Sequence, residues 1–91
     1  MGDIVRYRYT MIGDVQGVGL RYRASHAAYA LRLTGWIRNE FDDSVTLEIQ
    51  GTEEEIGKFF EFILSGHYVA ISGIEREKLD TDPDETGFRV R

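Results

Sequence analysis

Gly13-Asp14-Val15-Gln16-Gly17-Val18-Gly19-Leu20-Arg21 is the stretch most able to do chemistry, with three glycines and an arginine inside nine residues. Glycine reaches positive φ and lets the backbone approach a ligand closely, so successive N–H groups can converge on one concavity that suits an anion. A helix starting near Leu20 adds the positive end of its dipole, and the planar guanidinium of Arg21 can grip two phosphate oxygens at once. The pattern is neither a Walker loop, since no Gly-Lys-Ser/Thr closes it, nor a dinucleotide fingerprint, since Tyr22 stands where the third glycine belongs. A Gly-x-Gly of this kind also serves a strand-to-helix turn that needs glycine for its geometry alone.

The loop must be held by its flanking elements. Ile4 to Ile12 alternates, with Ile4, Arg6, Arg8 and Thr10 on one face and Val5, Tyr7, Tyr9 and Met11 on the other, the period of a half-buried strand. Leu20, Ala24, Ala27, Ala28 and Leu31 recur at helical spacing, a small-residue face suited to lying on a sheet, and this helix should end near Arg32 or Leu33. Gly35 opens a short strand over 36–40, Asp42-Asp43 turns the chain, and a strand over 44–50 points Val45, Leu47 and Ile49 one way. Thr52-Glu53-Glu54-Glu55 fits a capping box, so its acids belong to a helix start with no chemistry. Ile56, Phe59, Phe60 and Ile63 form the buried stripe of that helix, which should stop at Ser65-Gly66. A strand from about Val69 to Leu79, a turn at Asp82-Pro83-Asp84 and Gly87, and a short strand Phe88 to Val90 complete the chain. The order βαββαβ with a short appended strand predicts an α+β, ferredoxin-like split β-α-β fold: an antiparallel sheet with two helices on one face.

Bulk properties narrow the function. The 91 residues suit one domain over 1–91, and the absence of cysteine removes disulfides, thiol nucleophiles and the usual zinc or iron–sulfur cages. Met1-Gly2-Asp3 runs straight into the first strand with no apolar leader core, and no stretch reaches membrane-spanning length, so a soluble cytoplasmic chain is expected. A net charge of -5 opposes non-specific binding to nucleic acid or anionic membrane. Arginines 6, 8, 21, 23, 32 and 38 nonetheless make the first forty residues locally favourable to an anion.

Val15-Gln16-Gly17-Val18-Gly19-Leu20-Arg21, followed in register by Gly35-Trp36-Ile37-Arg38-Asn39, resembles the acylphosphatase family of small hydrolases that cleave the carboxyl–phosphate bond. The likeness extends over nearly the whole chain, through Gly51 to the terminal Gly87-Phe88-Arg89-Val90. It implies that Arg21 and Asn39 are catalytic, and that the backbone of Gln16, Gly17, Val18, Gly19, Leu20 and Arg21 cradles phosphate. It further implies attack at phosphorus, no cofactor or metal, a small-molecule acyl phosphate as partner, and a monomer. The physical chemistry agrees, because an acyl phosphate is a mixed anhydride whose carboxylate leaves without a strong general acid. What remains is to hold a dianion, stabilise its equatorial oxygens and aim a water. A neutral carboxamide such as that of Asn39 offers an acceptor and donors for the last task without repelling phosphate.

The chain departs from the family pattern at several positions. Asp14 places a carboxylate beside the cradle, Leu20 stands for the usual phenylalanine, and Arg32 and Asp43 occupy positions that favour glycine. Any requirement for positive φ at Arg32 would cost about 1 kcal/mol or more. His67-Tyr68 follows Gly66 where proline is frequent. Arg23 lies about 200° round the helix from Arg21, which predicts a solvated surface role. Arg38 should face the opposite side of the sheet from Asn39, its stem over apolar surface, while His26 and His67 lack partners for catalysis and Trp36 and the tyrosines read as packing. The alternative reading is a non-catalytic acylphosphatase-like module that binds phosphate or carbamoyl phosphate. An RNA-binding reading is weaker, because Val45 to Gln50 lacks the aromatic and basic signature.

Overall fold

The computed structural model describes residues 2–17, 19–65 and 70–91. Val18 of the predicted cradle, Gly66 at the predicted helix stop, His67, Tyr68, and the predicted strand start at Val69 lie outside the described residues. The elements follow the predicted order: β1 Ile4–Asp14, α1 Leu20–Leu31, β2 Thr34–Asn39, β3 Val45–Thr52, α2 Glu53–Leu64, β4 Ala70–Leu79 and β5 Phe88–Val90. The sheet order is β4-β1-β3-β2-β5. The β1–β3, β1–β4 and β2–β3 pairs are antiparallel, but β5 runs parallel to β2, with Gly35 opposite Phe88 and Ile37 opposite Val90. The sheet is therefore mixed rather than wholly antiparallel. A three-residue strand carries too little pattern to reveal its partner or direction, and here the turn before it returns the chain to the far edge.

Alternation in β1 sorts the residues as expected. Tyr7, Tyr9 and Met11 join Ile37, Leu47 and Ile49 beneath Ala24, Ala27 and Ala28 of α1 and Ile56, Phe59 and Ile63 of α2. Phe59 is completely buried, which contributes about 2–3 kcal/mol relative to exposure. Phe60 is half-buried and meets Tyr9 edge-on, with ring centroids 4.6 Å apart. Gly35 is required where β2 crosses β3, because a Cβ there would strike the Glu48 carbonyl oxygen. No helix among the described residues is long and apolar enough to cross a membrane.

The opposite face of the sheet carries charge. Arg6, buried, donates to Glu48 Oε1 through Nε at 3.2 Å and Nη2 at 2.9 Å, and to Glu85 through Nη1 at 2.6 Å and Nη2 at 3.1 Å. Arg8 donates to Glu48 Oε2 through Nε at 2.9 Å and Nη2 at 2.7 Å, so the buried Glu48 carboxylate has partners on both oxygens. Gln50 accepts from the Asp82 N–H at 2.7 Å and donates to its carbonyl at 2.9 Å, which pins the turn preceding β5 onto this face. Buried charge is tolerated only when paired in this way.

The helix ends match local chemistry. At α2 the Thr52 hydroxyl accepts from Glu55 N at 3.1 Å and the Glu55 carboxylate accepts from Thr52 N at 3.3 Å, completing the capping box. Arg32 caps α1 at φ 58°, ψ 35°, and Asp43 has φ 71°, so both positions where the family favours glycine are left-handed here. Arg23 corrects its sequence assignment. It is half-buried, donates through Nη2 to the Phe62 carbonyl at 2.8 Å and to Ser65 Oγ at 3.1 Å, and lies over the Phe62 ring. The last turn of α2 holds no basic residue, and this arginine from α1 answers its Phe62 carbonyl. Tyr22 and Tyr29 also depart from the packing role, since both are exposed, whereas Tyr7, Tyr9 and Trp36 are buried.

Candidate functional site

β1 ends at Asp14 and α1 begins at Leu20, which leaves Val15 to Gly19 to turn the chain. Gly17 and Gly19 adopt φ 70° and 77°, and a Cβ at either would meet nothing within 4 Å. These glycines are therefore needed for backbone conformation rather than for room. Gly19 is the N-cap of α1, so no side chain caps the helix and no acid occupies its first turn. An uncapped, acid-free N-terminus is the electrostatic complement of an anion.

The residues named from the sequence, Val18 apart, can now be placed. Leu20 is buried in the core, so only its backbone can serve the loop. Arg21 is exposed on the first turn and makes no ion pair among the described residues. It lines a depression of about 420 Å³ with Gly17, Gly19, Tyr22, Ser25 and Val90. Asp14 is exposed at the end of β1, paired in the sheet opposite Ala70. Asn39, the last residue of β2, lines a second depression of about 530 Å³ with Arg38, Glu40 and Phe41. Its Oδ1 is buried and accepts no hydrogen bond among the described residues. A carboxamide oxygen left in that state costs free energy, and it offers a donor such as water a prepared place.

Gln16 connects the loop with the strand that carries Asn39. Its Nε2 donates to the carbonyls of Glu40 and Ser44, both at 2.9 Å. These two residues bracket the β2–β3 turn, so one side chain fastens the loop to both sides of it. Arg21 and Asn39 line separate depressions with no hydrogen bond between them, and Gln16 supplies the mechanical link. Arg38 lies on the other face, as predicted, its guanidinium 5.2 Å from the Trp36 ring centroid and its Nε 3.0 Å from Glu40 Oε2. The Thr46 hydroxyl and Arg38 hold the Glu40 carboxyl below its ordinary range, so Glu40 stays ionised beside Asn39.

Sequence reasoning missed the side-chain role of Gln16, the lining residues Tyr22, Ser25 and Val90, and the neighbour Phe41. The spacing of Tyr22 and Ser25 from Arg21 on one helix could have flagged them. Val90 carried no such signal, because it reaches the site through the parallel pairing of β5.

The fold defines a class of small ferredoxin-like α+β proteins with two helices on one face of a five-stranded sheet. A family model described as Acylphosphatase matches residues 7–90. The chain is 42% identical over 79 residues to an acylphosphatase of Geobacillus thermodenitrificans, covering 86% of this chain and 84% of that one. Among solved structures it is similar to an acylphosphatase from Coxiella burnetii (TM-score 0.84, 31% identity, 98% and 94% of the two chains). It is similar also to the acylphosphatase from Bacillus subtilis (TM-score 0.85, 27% identity, 96% and 98%). The chain belongs to the acylphosphatase family, and its activity is hydrolysis of the carboxyl–phosphate bond of small acyl phosphates to a carboxylate and inorganic phosphate.

Proposed function

We propose that the Arg21 guanidinium and the backbone N–H groups from Gln16 to Arg21, Val18 included, hold the phosphoryl group, and that Asn39 aims the attacking water. The loop amides and the α1 dipole neutralise the bound dianion, and Arg21 gathers charge on the equatorial oxygens as the transition state spreads it. The water donates to Asn39 Oδ1 and attacks phosphorus from the side opposite the acyl oxygen. The bond from phosphorus to that oxygen breaks, the carboxylate leaves with the electron pair, and the water proton ends on phosphate or in solvent. The observation that supports this reading most is the helix N-terminus capped only by a left-handed glycine, with Arg21 on its first turn.

The enzyme acts in this reading as a metal-independent cytoplasmic monomer, its single domain spanning residues 1–91. The carboxylate is a good leaving group and needs no Lewis acid. Among the described residues no three His, Asp, Glu or Cys side chains gather in a metal-holding group. The test is turnover of benzoyl phosphate with a chelator present. Wild type should remain active, and folded Arg21→Ala should lose at least about 10²-fold in kcat/KM, the scale for removing one preorganised donor. Wild-type turnover in Arg21→Ala would refute the assignment.

A further inference from the structure

The two halves of the site are each braced from within. The loop is anchored at its ends by the buried side chains of Val15 and Leu20, and Gly17 and Gly19 turn it between them at φ 70° and 77°. The β2–β3 turn closes on itself: Glu40 N donates to the Ser44 carbonyl at 2.9 Å and Asp43 N to the Glu40 carbonyl at 3.3 Å. Asp42 Oδ1 accepts from both Ser44 N at 3.0 Å and Ser44 Oγ at 2.6 Å. What these bonds leave open is the distance from one half to the other. The loop follows β1 and Asn39 ends β2, and β3 lies between those two strands, so no ladder hydrogen bond joins them directly. Gln16 spans the gap, its amide donating to the Glu40 and Ser44 carbonyls at 2.9 Å each. Both acceptors are carbonyl oxygens, so only the NH2 end of the carboxamide fits there. Glu40 follows Asn39 directly, and Ser44 precedes Val45, the ladder partner of Asn39, so one amide grips the chain on both sides of that pair. Among the described residues no other hydrogen bond joins the loop to this turn.

We propose that the Gln16 side chain is a positioning residue that sets the spacing between the bound phosphoryl group and the water on Asn39, a role separate from that of its own backbone N–H. The inference rests on the placement of phosphate and water given above. Attack on phosphorus is steep in distance, and a misplacement of about 1 Å caused far from the reacting atoms can cost about 10²-fold in rate. The Gln16 amide is spent on the two carbonyls of the turn, so it acts on the reaction through Asn39 and leaves the holding of phosphate to the loop amides and Arg21. Its loss therefore falls on the rate of the bound substrate rather than on phosphate affinity.

A double-mutant cycle read with benzoyl phosphate tests this. Gln16→Met keeps the length of the side chain and removes both donors; kcat should fall about 10- to 100-fold while inhibition by inorganic phosphate stays within about 2-fold of wild type. In the Asn39→Ala background the same substitution should change the residual rate by less than about 2-fold, because spacing to a missing carboxamide no longer matters. Gln16→Asn holds its amide one methylene short of the two carbonyls and should share the loss, which carries the test if circular dichroism shows the methionine variant unfolded. A wild-type kcat in either folded variant overturns the proposal, as does a parallel loss of phosphate affinity. An equal loss in both backgrounds overturns it too, since that marks a side chain of structural importance only. If Asn39→Ala alone keeps the wild-type rate, the water assignment falls and takes the proposal with it, whereas a slow Asn39→Ala beside a fully active Gln16→Met removes the role of Gln16 alone.

Discussion

At the scale of single residues, Arg21 and Asn39 are suited to different parts of the reaction. Arg21 lies beside the loop that would bear phosphate charge throughout catalysis, whereas the buried Asn39 oxygen is suited to a water whose position matters chiefly in the transition state. Asn39→Ala is therefore expected to lower kcat strongly while leaving inhibition by inorganic phosphate nearly unchanged. Steady-state kinetics with phosphate as competitor checks this, and a parallel loss of phosphate affinity would make Asn39 a cradle residue instead. The type of both residues was visible in the sequence. The tether made by Gln16 was not, because a glutamine in a loop discloses nothing about which carbonyls will face it.

At the scale of elements, the ends of α1 differ in kind. Its N-terminus lacks a side-chain cap, which leaves backbone donors for an anion, and its C-terminus holds Arg32 in a conformation that disfavours a Cβ. Arg32→Gly should relieve the C-terminal strain and raise stability by about 1 kcal/mol, less the extra entropy glycine gives the unfolded chain. Urea denaturation measures the gain, and turnover should be unaffected because Arg32 lies at the far end of the helix from the loop. Lower stability in the glycine variant would show that the Arg32 side chain contributes more than its backbone costs.

For the whole molecule, the charged network on the helix-free face governs the response to acid. Burial pushes the Glu48 carboxyl upward, but the hydrogen bonds from Arg8 and Arg6 outweigh it and leave the group below its ordinary range. Asp42 is lowered too, by the Ser44 hydroxyl and then its N–H, and Glu40 by Thr46 and Arg38. A carboxyl lowered by folding contributes stability that is fully present above its unfolded value and is lost as pH falls through the folded one. Wild type should therefore weaken progressively below about pH 4.5. Glu48→Gln should be about 2–3 kcal/mol less stable near neutrality yet show a flatter pH profile, since the buried carboxylate paired with Arg6 and Arg8 is gone. Urea melts from about pH 7 to about pH 3 check both, and parallel profiles would remove Glu48 from the account.

The sequence by itself determined the βαββαβ order, the face assignment in β1, the Thr52 capping box and the glycine loop before α1. Each follows from interactions within a few residues: alternation, helical spacing, capping or allowed φ. Tertiary structure decided what depends on distant segments meeting. It set the parallel pairing that brings Val90 beside Arg21, turned Arg23 from a solvated side chain into a staple on α2, and left Phe41 bare beside Asn39. Local pattern states which way a side chain leaves the backbone, but only the packed chain determines what it meets there.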